Sequence, residues 1–431
     1  MPLFPHQNQC LDVTDGLNRV AYYLDMGLGK TYVGGEKIKR LAAIPNLLVC
    51  QKSKIGDWIE HLVDVCNLDT YDLTDKKELA YFMQCATAKP VEGFSAPVIG
   101  VINYDLVWRR KQLLNLENFT LCLDESSLIQ NETAKRTKFI LKMNPLNVIL
   151  LSGTPTAGKY ENLWSQIRLL GWEITQKVYN RQYVNWKTID VGGFPMKIVD
   201  KDDPYKNIDR LKAKMRQHGA VFMKTEEVFD LPAQNIIEVK VKTTKEYRQF
   251  QRKQIVQIDG VELIGDTTLT KRIYSKMLCG QYNADKLNAF RDLCSSTNDR
   301  LIVFYNFDAE LEALRNIALE LEKPVSEING HTKDLTAYDT AGDSITLVQY
   351  KAGAMGLNLQ KANKVIYFTL TDEAELFLQS MKRIHRIGQE KPCFYYLMLC
   401  ENSIEDEEIL PTLGIRKDYT DELFKETDTQ K

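Results

Sequence analysis

The segment Asp25-Met26-Gly27-Leu28-Gly29-Lys30-Thr31 follows the apolar stretch 21–24 and precedes a helical pattern over 32–43. Glycines let backbone amides turn toward an anion, and the N-terminus of the helix that follows adds the positive end of its dipole. In that strand–loop–helix setting, Gly27 and Gly29 shape a cradle, Lys30 reaches the β- and γ-phosphates of a nucleotide, and the Thr31 hydroxyl binds Mg²⁺. A bare Gly-Lys-Thr is weak evidence. The strict G-x-x-x-x-G-K-T pattern also fails, because Leu24 stands at its first glycine position. The setting is what lifts the segment from an ordinary turn to an expected phosphate loop.

Near the other end of the chain stands Gln379-Ser380-Met381-Lys382-Arg383-Ile384-His385-Arg386-Ile387-Gly388-Gln389. Helical spacing puts Arg383 and Arg386 on one face. A guanidinium at the γ-phosphate is worth roughly 10³–10⁵ in rate. The other reading is a basic helix paired with surface acids. A phosphate loop and an arginine pair so far apart suggest a nucleotide clamped between two lobes that hydrolysis opens and closes.

The 431 residues are enough for two or three domains with separate cores. Short, continuously apolar runs at 47–50, 98–102, 121–123 and 148–151 read as strands of a parallel sheet buried on both faces. The pattern repeats at 301–305, 345–348, 365–368 and 395–399, with an amphipathic helix over 308–321. Two doubly wound α/β lobes are expected, with helical insertions between and within them. A change of pattern over 160–290, where charged helical segments dominate, and the break at Leu231-Pro232 place the boundary between lobes 1–230 and 231–431.

No apolar run approaches the roughly eighteen residues that span a bilayer. The start of the chain lacks a basic segment followed by an apolar core, so a signal peptide is not expected. Nine scattered cysteines show neither C-x-x-C nor zinc spacing, and Cys50, Cys122 and Cys294 lie in apolar runs. Core thiols in a reducing, intracellular compartment are expected. A formal net charge of −2 counts mildly against a nucleic-acid binder. A local basic face can nevertheless attract phosphates.

Three more segments carry chemistry. The strand 121–123 ends in Asp124-Glu125, where Asp124 can join the Mg²⁺ shell and Glu125 can orient and deprotonate water. Ser152-Gly153-Thr154-Pro155 ends another strand, and the hydroxyls of Ser152 and Thr154 can couple the carboxylates to motion; a plain turn is the alternative. Gln7, after Pro5 and His6, presents one donor and one acceptor suited to the N6/N7 edge of adenine.

Together these segments resemble the Swi/Snf-like family of DNA translocases within helicase superfamily two. The match runs through Pro5-His6-Gln7, 25–31, Val49-Cys50 with Trp58, Ile102-Asn103-Tyr104, Asp124-Glu125 and 151–155. It continues through 301–304, Lys351-Ala352-Gly353-Ala354-Met355-Gly356-Leu357-Asn358-Leu359 and 379–389. The resemblance implies two RecA-like lobes, ATP with Mg²⁺, and tracking on double-stranded DNA. It places Gly356 and Gln379 at the nucleotide, and Lys52, Lys54, Asn103, Tyr104, Phe304 and Asn358 near the DNA backbone. Backbone contact makes such binding salt-dependent and largely sequence-independent.

The chain departs from the family pattern in four places. Asp124-Glu125-Ser126-Ser127 replaces Asp-Glu-Ala-His, and Ala354 replaces a glycine. Phe222-Met223-Lys224-Thr225 lacks paired arginines, and 371–378 lacks Trp-Asn-Pro. These departures bear on coupling more than on hydrolysis. With no histone-reading, zinc or nuclease module in sight, the expectation is a compact, monomeric motor of a bacterium or virus. Its partner would be a replication, recombination or repair protein. A strand-separating DNA or RNA helicase and a non-hydrolysing DNA-binding scaffold are the alternatives.

Overall fold

A strand that is apolar on both faces needs cover on both sides, and parallel neighbours need a crossover segment to supply it. The computed structural model, which describes residues 2–42, 45–87, 97–353 and 357–425, solves both demands twice. Described residues 2–228 and 419–425 form one unit, and Phe229–Asp418 forms the other.

The first unit contains β1 (Arg19–Leu24), β2 (Asn46–Cys50), β3 (Asp69–Asp72), β4 (Val98–Asn103), β5 (Thr120–Asp124) and β6 (Asn147–Ser152). A hairpin of β7 (Trp186–Val191) and β8 (Phe194–Val199) follows, and then β9 (Ala220–Met223). Seven of these strands form one parallel sheet, in the order β3-β4-β2-β5-β6-β1-β9. The helix Lys30–Leu41 lies directly on that sheet. A Cβ added at Gly34 would come within 2.8 Å of Leu151 Cδ1, so only glycine permits this approach.

The second unit holds β10 (Gln234–Val241), a β11 (Ile255–Ile258)–β12 (Val261–Ile264) hairpin, β13 (Leu301–Tyr305), β14 (Val325–Ile328) and β15 (Lys333–Asp334). Its last strands are β16 (Ile345–Gln349), β17 (Lys364–Tyr367) and β18 (Cys393–Cys400). Its sheet runs β10-β18-β17-β13-β16-β14-β15, parallel apart from β15. Both sheets are flanked by helices, as in RecA-like lobes. The apolar runs read from the sequence fall in strands, except that Phe368 lies one residue beyond β17.

Two expectations change. The region 160–290 is less helical than its composition suggests: it holds both hairpins, and β9 and β10 join the main sheets. Both are edge strands, and β10 is largely exposed, so neither shows the unbroken apolar run that betrays a central strand. The expected second lobe 231–431 also loses its last described residues to the first unit. There Leu423 and Phe424 enter the core, and the buried Lys212 donates to Glu422 at 2.8 Å.

Candidate nucleotide site

Strands β5, β6 and β1 are consecutive in the sheet and point the same way. Their register pairs Tyr23 with Ser152, and Asp124 with Leu151. The loop after β1, the turn after β6 and the acids at the end of β5 therefore share one carboxyl edge, the usual ligand-binding side of such sheets.

Each side chain there is held by a specific neighbour. Gly29 is left-handed (φ 76°) and caps the helix Lys30–Leu41. A Cβ on it would lie 2.1 Å from Gln7 Nε2, so the loop closes against Gln7 only with glycine at this place. Gln7 is buried: its Oε1 accepts from Phe4 N at 2.9 Å, and its Nε2 donates to Leu28 O at 3.2 Å. A carboxamide has two donor hydrogens and two acceptor lone pairs, so each end retains capacity for a base. Lys30 Nζ donates to Leu24 O at 3.0 Å. Asp25 Oδ1 accepts from Met26 N, and its Oδ2 accepts from Thr225 Oγ1 at 3.1 Å, which braces the loop from both sides.

Trp58 Nε1 donates to Asp124 Oδ2 at 2.9 Å. Burial, and then the adjacent Glu125 charge, push the Asp124 carboxyl up from 3.8 to about 6. The Trp58 hydrogen bond and the ammonium groups of Lys30 and Lys54 pull it back. Glu125 has positive φ (52°), and its Oε2 accepts from Ser152 Oγ at 3.2 Å. Ser152 Oγ in turn accepts from Thr154 N at 3.2 Å. The Thr154 hydroxyl is buried and makes no hydrogen bond among the described residues. The hydroxyl and carboxylate oxygens of Thr31 and Asp124 suit a hard divalent cation such as Mg²⁺.

A buried hub ties the edge together. Gln166 Oε1 accepts from Ser126 Oγ at 2.8 Å and from Tyr23 Oη at 3.0 Å, while its Nε2 donates to Pro155 O at 2.7 Å. One carboxamide thus links β1, the acidic loop and the 152–155 turn. Ser126, which departs from the family pattern, is one of its partners.

The residues that the resemblance places near DNA differ in exposure. Tyr104 is in the core, where its Oη donates to Asp124 O at 2.9 Å and so ties it to the acidic loop. Asn103 is buried at the end of β4. Phe304, central in β13, is 1% exposed and stacks on Tyr367, with ring centroids 5.6 Å apart, so it faces core and not solvent. Lys52 is exposed, and Lys54 pairs with Asp57 at 2.6 Å.

The arginine pair is also placed differently. The helix Ala374–Met381 stops before both residues, which lie in turns and not on a helical face. Arg383 is 1% exposed within the second unit. Arg386 is only partly covered, and its Nη1 donates to Asn358 Oδ1, so the exposed Asn358 holds the arginine. Burial lowers the Arg386 pKa. Gln379 is buried, with its Nε2 3.4 Å from Glu375 Oε1. Gly356 lies outside the described residues.

Trp58, Thr225 and Gln166 were not assigned roles from their own chemistry. Trp58 lay within the resemblance, whereas an isolated Gln or Thr carries no local signal.

Fold and site together define a helicase-type nucleotide hydrolase core. The SNF2-related domain model matches residues 23–288, and the helicase conserved C-terminal domain matches 285–388. The chain belongs to the SNF2-related family of helicase-like ATP hydrolases, in superfamily two. It is 23% identical over 444 residues to the ISWI chromatin-remodeling complex ATPase ISW1 of Saccharomyces cerevisiae, covering 90% of this chain and 38% of that protein. It is 24% identical over 433 residues to YwqA of Bacillus subtilis, covering 89% and 44%. The chain thus spans about two fifths of the length of these relatives. Among solved structures, the Sulfolobus solfataricus SWI2/SNF2 ATPase core in complex with dsDNA aligns at 19% identity with a TM-score of 0.44, covering 98% of this chain and 92% of that one.

Proposed function

We propose that this protein is a DNA-dependent ATPase that couples hydrolysis to translocation on double-stranded DNA and so remodels DNA or DNA–protein complexes. The observation that carries the reading is the shared edge of β5, β6 and β1. It gathers Lys30, Asp124, Glu125 and Ser152 with the buried Gln7 against the loop. In this reading Gly27, Gly29 and Lys30 hold the phosphates of ATP, and Thr31 and Asp124 hold Mg²⁺. Glu125, oriented by Ser152, takes the proton from the attacking water. Gln7 reads adenine with its remaining donor and acceptor. Of the arginines, Arg386 has the exposure to meet a phosphate, while the buried Arg383 supports its loop. The motor is read as two lobes, 1–230 and 231–431, with 419–425 returned to the first. Lys52 and Lys54 supply part of a DNA-facing basic surface.

The test is phosphate release without nucleic acid, and with duplex DNA, single-stranded DNA or RNA, using Glu125→Gln as control. Stimulation by duplex that the control abolishes is expected, and Lys30→Ala should abolish turnover while the fold survives. Stimulation by single strands or RNA alone would move the protein to the strand-separating class. Hydrolysis by Lys30→Ala at the unsubstituted rate would overturn the site assignment.

A further inference from the structure

The β7–β8 hairpin is an insertion between β6 and β9 that pairs with neither main sheet. Between it and the helix Gln176–Tyr183 lies an open cleft of about 530 Å³, lined by Gln176, Lys177, Asn180, Arg181, Trp186 and Lys197. Among the described lining residues three are cations and none is an acid. Lys177 and Arg181 are four apart on the helix, so they share a face. Among the described residues, none of the three cations makes an ion pair. On the hairpin itself, Lys187 instead pairs with Asp202 at 3.7 Å. The nearby acid Glu132 lies outside the cleft lining and accepts from Gln176. At the cleft wall Trp186 is 42% exposed, and toward the hairpin tip Phe194 is 77% exposed.

We propose that this cleft grips the sugar–phosphate backbone of duplex DNA. Lys177, Arg181 and Lys197 lie on phosphates, and the Trp186 indole packs against a deoxyribose. Gathered cations repel one another, and a polyanion relieves that repulsion. Two amide side chains, a guanidinium fork and an aromatic face are the groups that phosphodiester and sugar use. Such binding is independent of sequence and weakens steeply with salt. It rests on the reading of the chain as a DNA-stimulated ATPase, to which it adds a second holding point.

The test is fluorescence anisotropy of labelled duplex DNA with the full chain, from about 50 to 200 mM salt. The unsubstituted chain is compared with Lys177→Glu/Arg181→Glu/Lys197→Glu. The variant should bind at least about tenfold more weakly, with a log–log salt slope flatter by about 0.9 for each phosphate no longer neutralised. Its DNA-free phosphate release should be unchanged. If that basal rate falls, Trp186→Ala replaces the triple variant, and at least about fivefold weaker binding is expected, the low end for the removal of one aromatic packing partner. Unchanged affinity and slope in a chain whose unsubstituted form binds duplex would overturn the cleft alone. An unsubstituted chain that binds no duplex would overturn the functional reading as well. Competition by polyglutamate as strong as that by DNA would overturn the choice of occupant in favour of an acidic protein segment.

Discussion

At the scale of the residue, Asp124 stands between opposing demands. Burial and the Glu125 charge favour its neutral form, raised to about 6, while the Trp58 indole and the Lys30 and Lys54 charges favour the carboxylate. A cation can be held only by the ionised form, so turnover at limiting Mg²⁺ should fall as pH drops through about 6. Trp58→Phe removes the donor that stabilises the ionised form, and the pKa must then rise. A hydrogen bond to a charged group contributes roughly 1.5–3 kcal/mol, so the acid limb of the pH–rate profile should move up by about one to two units. Near pH 9 the variant should approach the unsubstituted rate. An unmoved limb would mean that Trp58 only fills space. The Asp-Glu pair was legible because adjacent carboxylates end an apolar strand. The hydrogen bond from Trp58 was not, since its partner is 66 residues away along the chain.

Elements impose the next layer of order. The helix Trp164–Leu169 carries Gln166 into the space between β1, the acidic loop and the 152–155 turn. Gln166→Leu keeps the volume but leaves the Ser126 and Tyr23 hydroxyls without their acceptor. Buried donors left unpaired cost about 1–3 kcal/mol each, so the denaturant midpoint of the first unit should fall. If the hub also positions the catalytic edge, kcat should drop more than KM rises. Gln166→Glu keeps the acceptor and should restore much of kcat. Loss of stability with unchanged kcat would reduce Gln166 to packing. Strand identity was readable for the central strands, whose runs are apolar throughout. The edge strands β9 and β10 and the two hairpins were hidden, because partial exposure dilutes the same signal. The arginine segment misled in another way. Spacing of i, i+3 fits a helix, but the chain turns after Met381, and only one of the two arginines keeps access to solvent.

Across the whole molecule, the first unit is completed by residues from the far end of the chain. Tyr160 Oη donates to Tyr419 O at 2.6 Å, Lys224 pairs with Asp421 at 2.9 Å, and Leu423 is fully buried beside Phe424. Leu423→Ala should therefore destabilise the unit that carries the 25–31 loop by about 2–5 kcal/mol, the range for truncating a buried leucine in a core. Urea unfolding followed by tryptophan fluorescence would measure it, and a change below about 0.5 kcal/mol would refute the packing.

By itself the sequence determined the two α/β lobes, the glycine–lysine loop after β1 and the acidic pair at the end of β5. Each is written in contiguous residues, as apolar runs, turn glycines and charged strand ends. Tertiary structure alone decided which residues meet at the site: Gln7 against Gly29, Trp58 on Asp124, Gln166 between three segments, and 419–425 in the first unit. It also took Tyr104 and Phe304 inside. The physical reason is that periodicity and spacing act over a few residues. Hydrogen bonds and close packing act over a few ångströms, wherever the sheet order happens to bring the chain together.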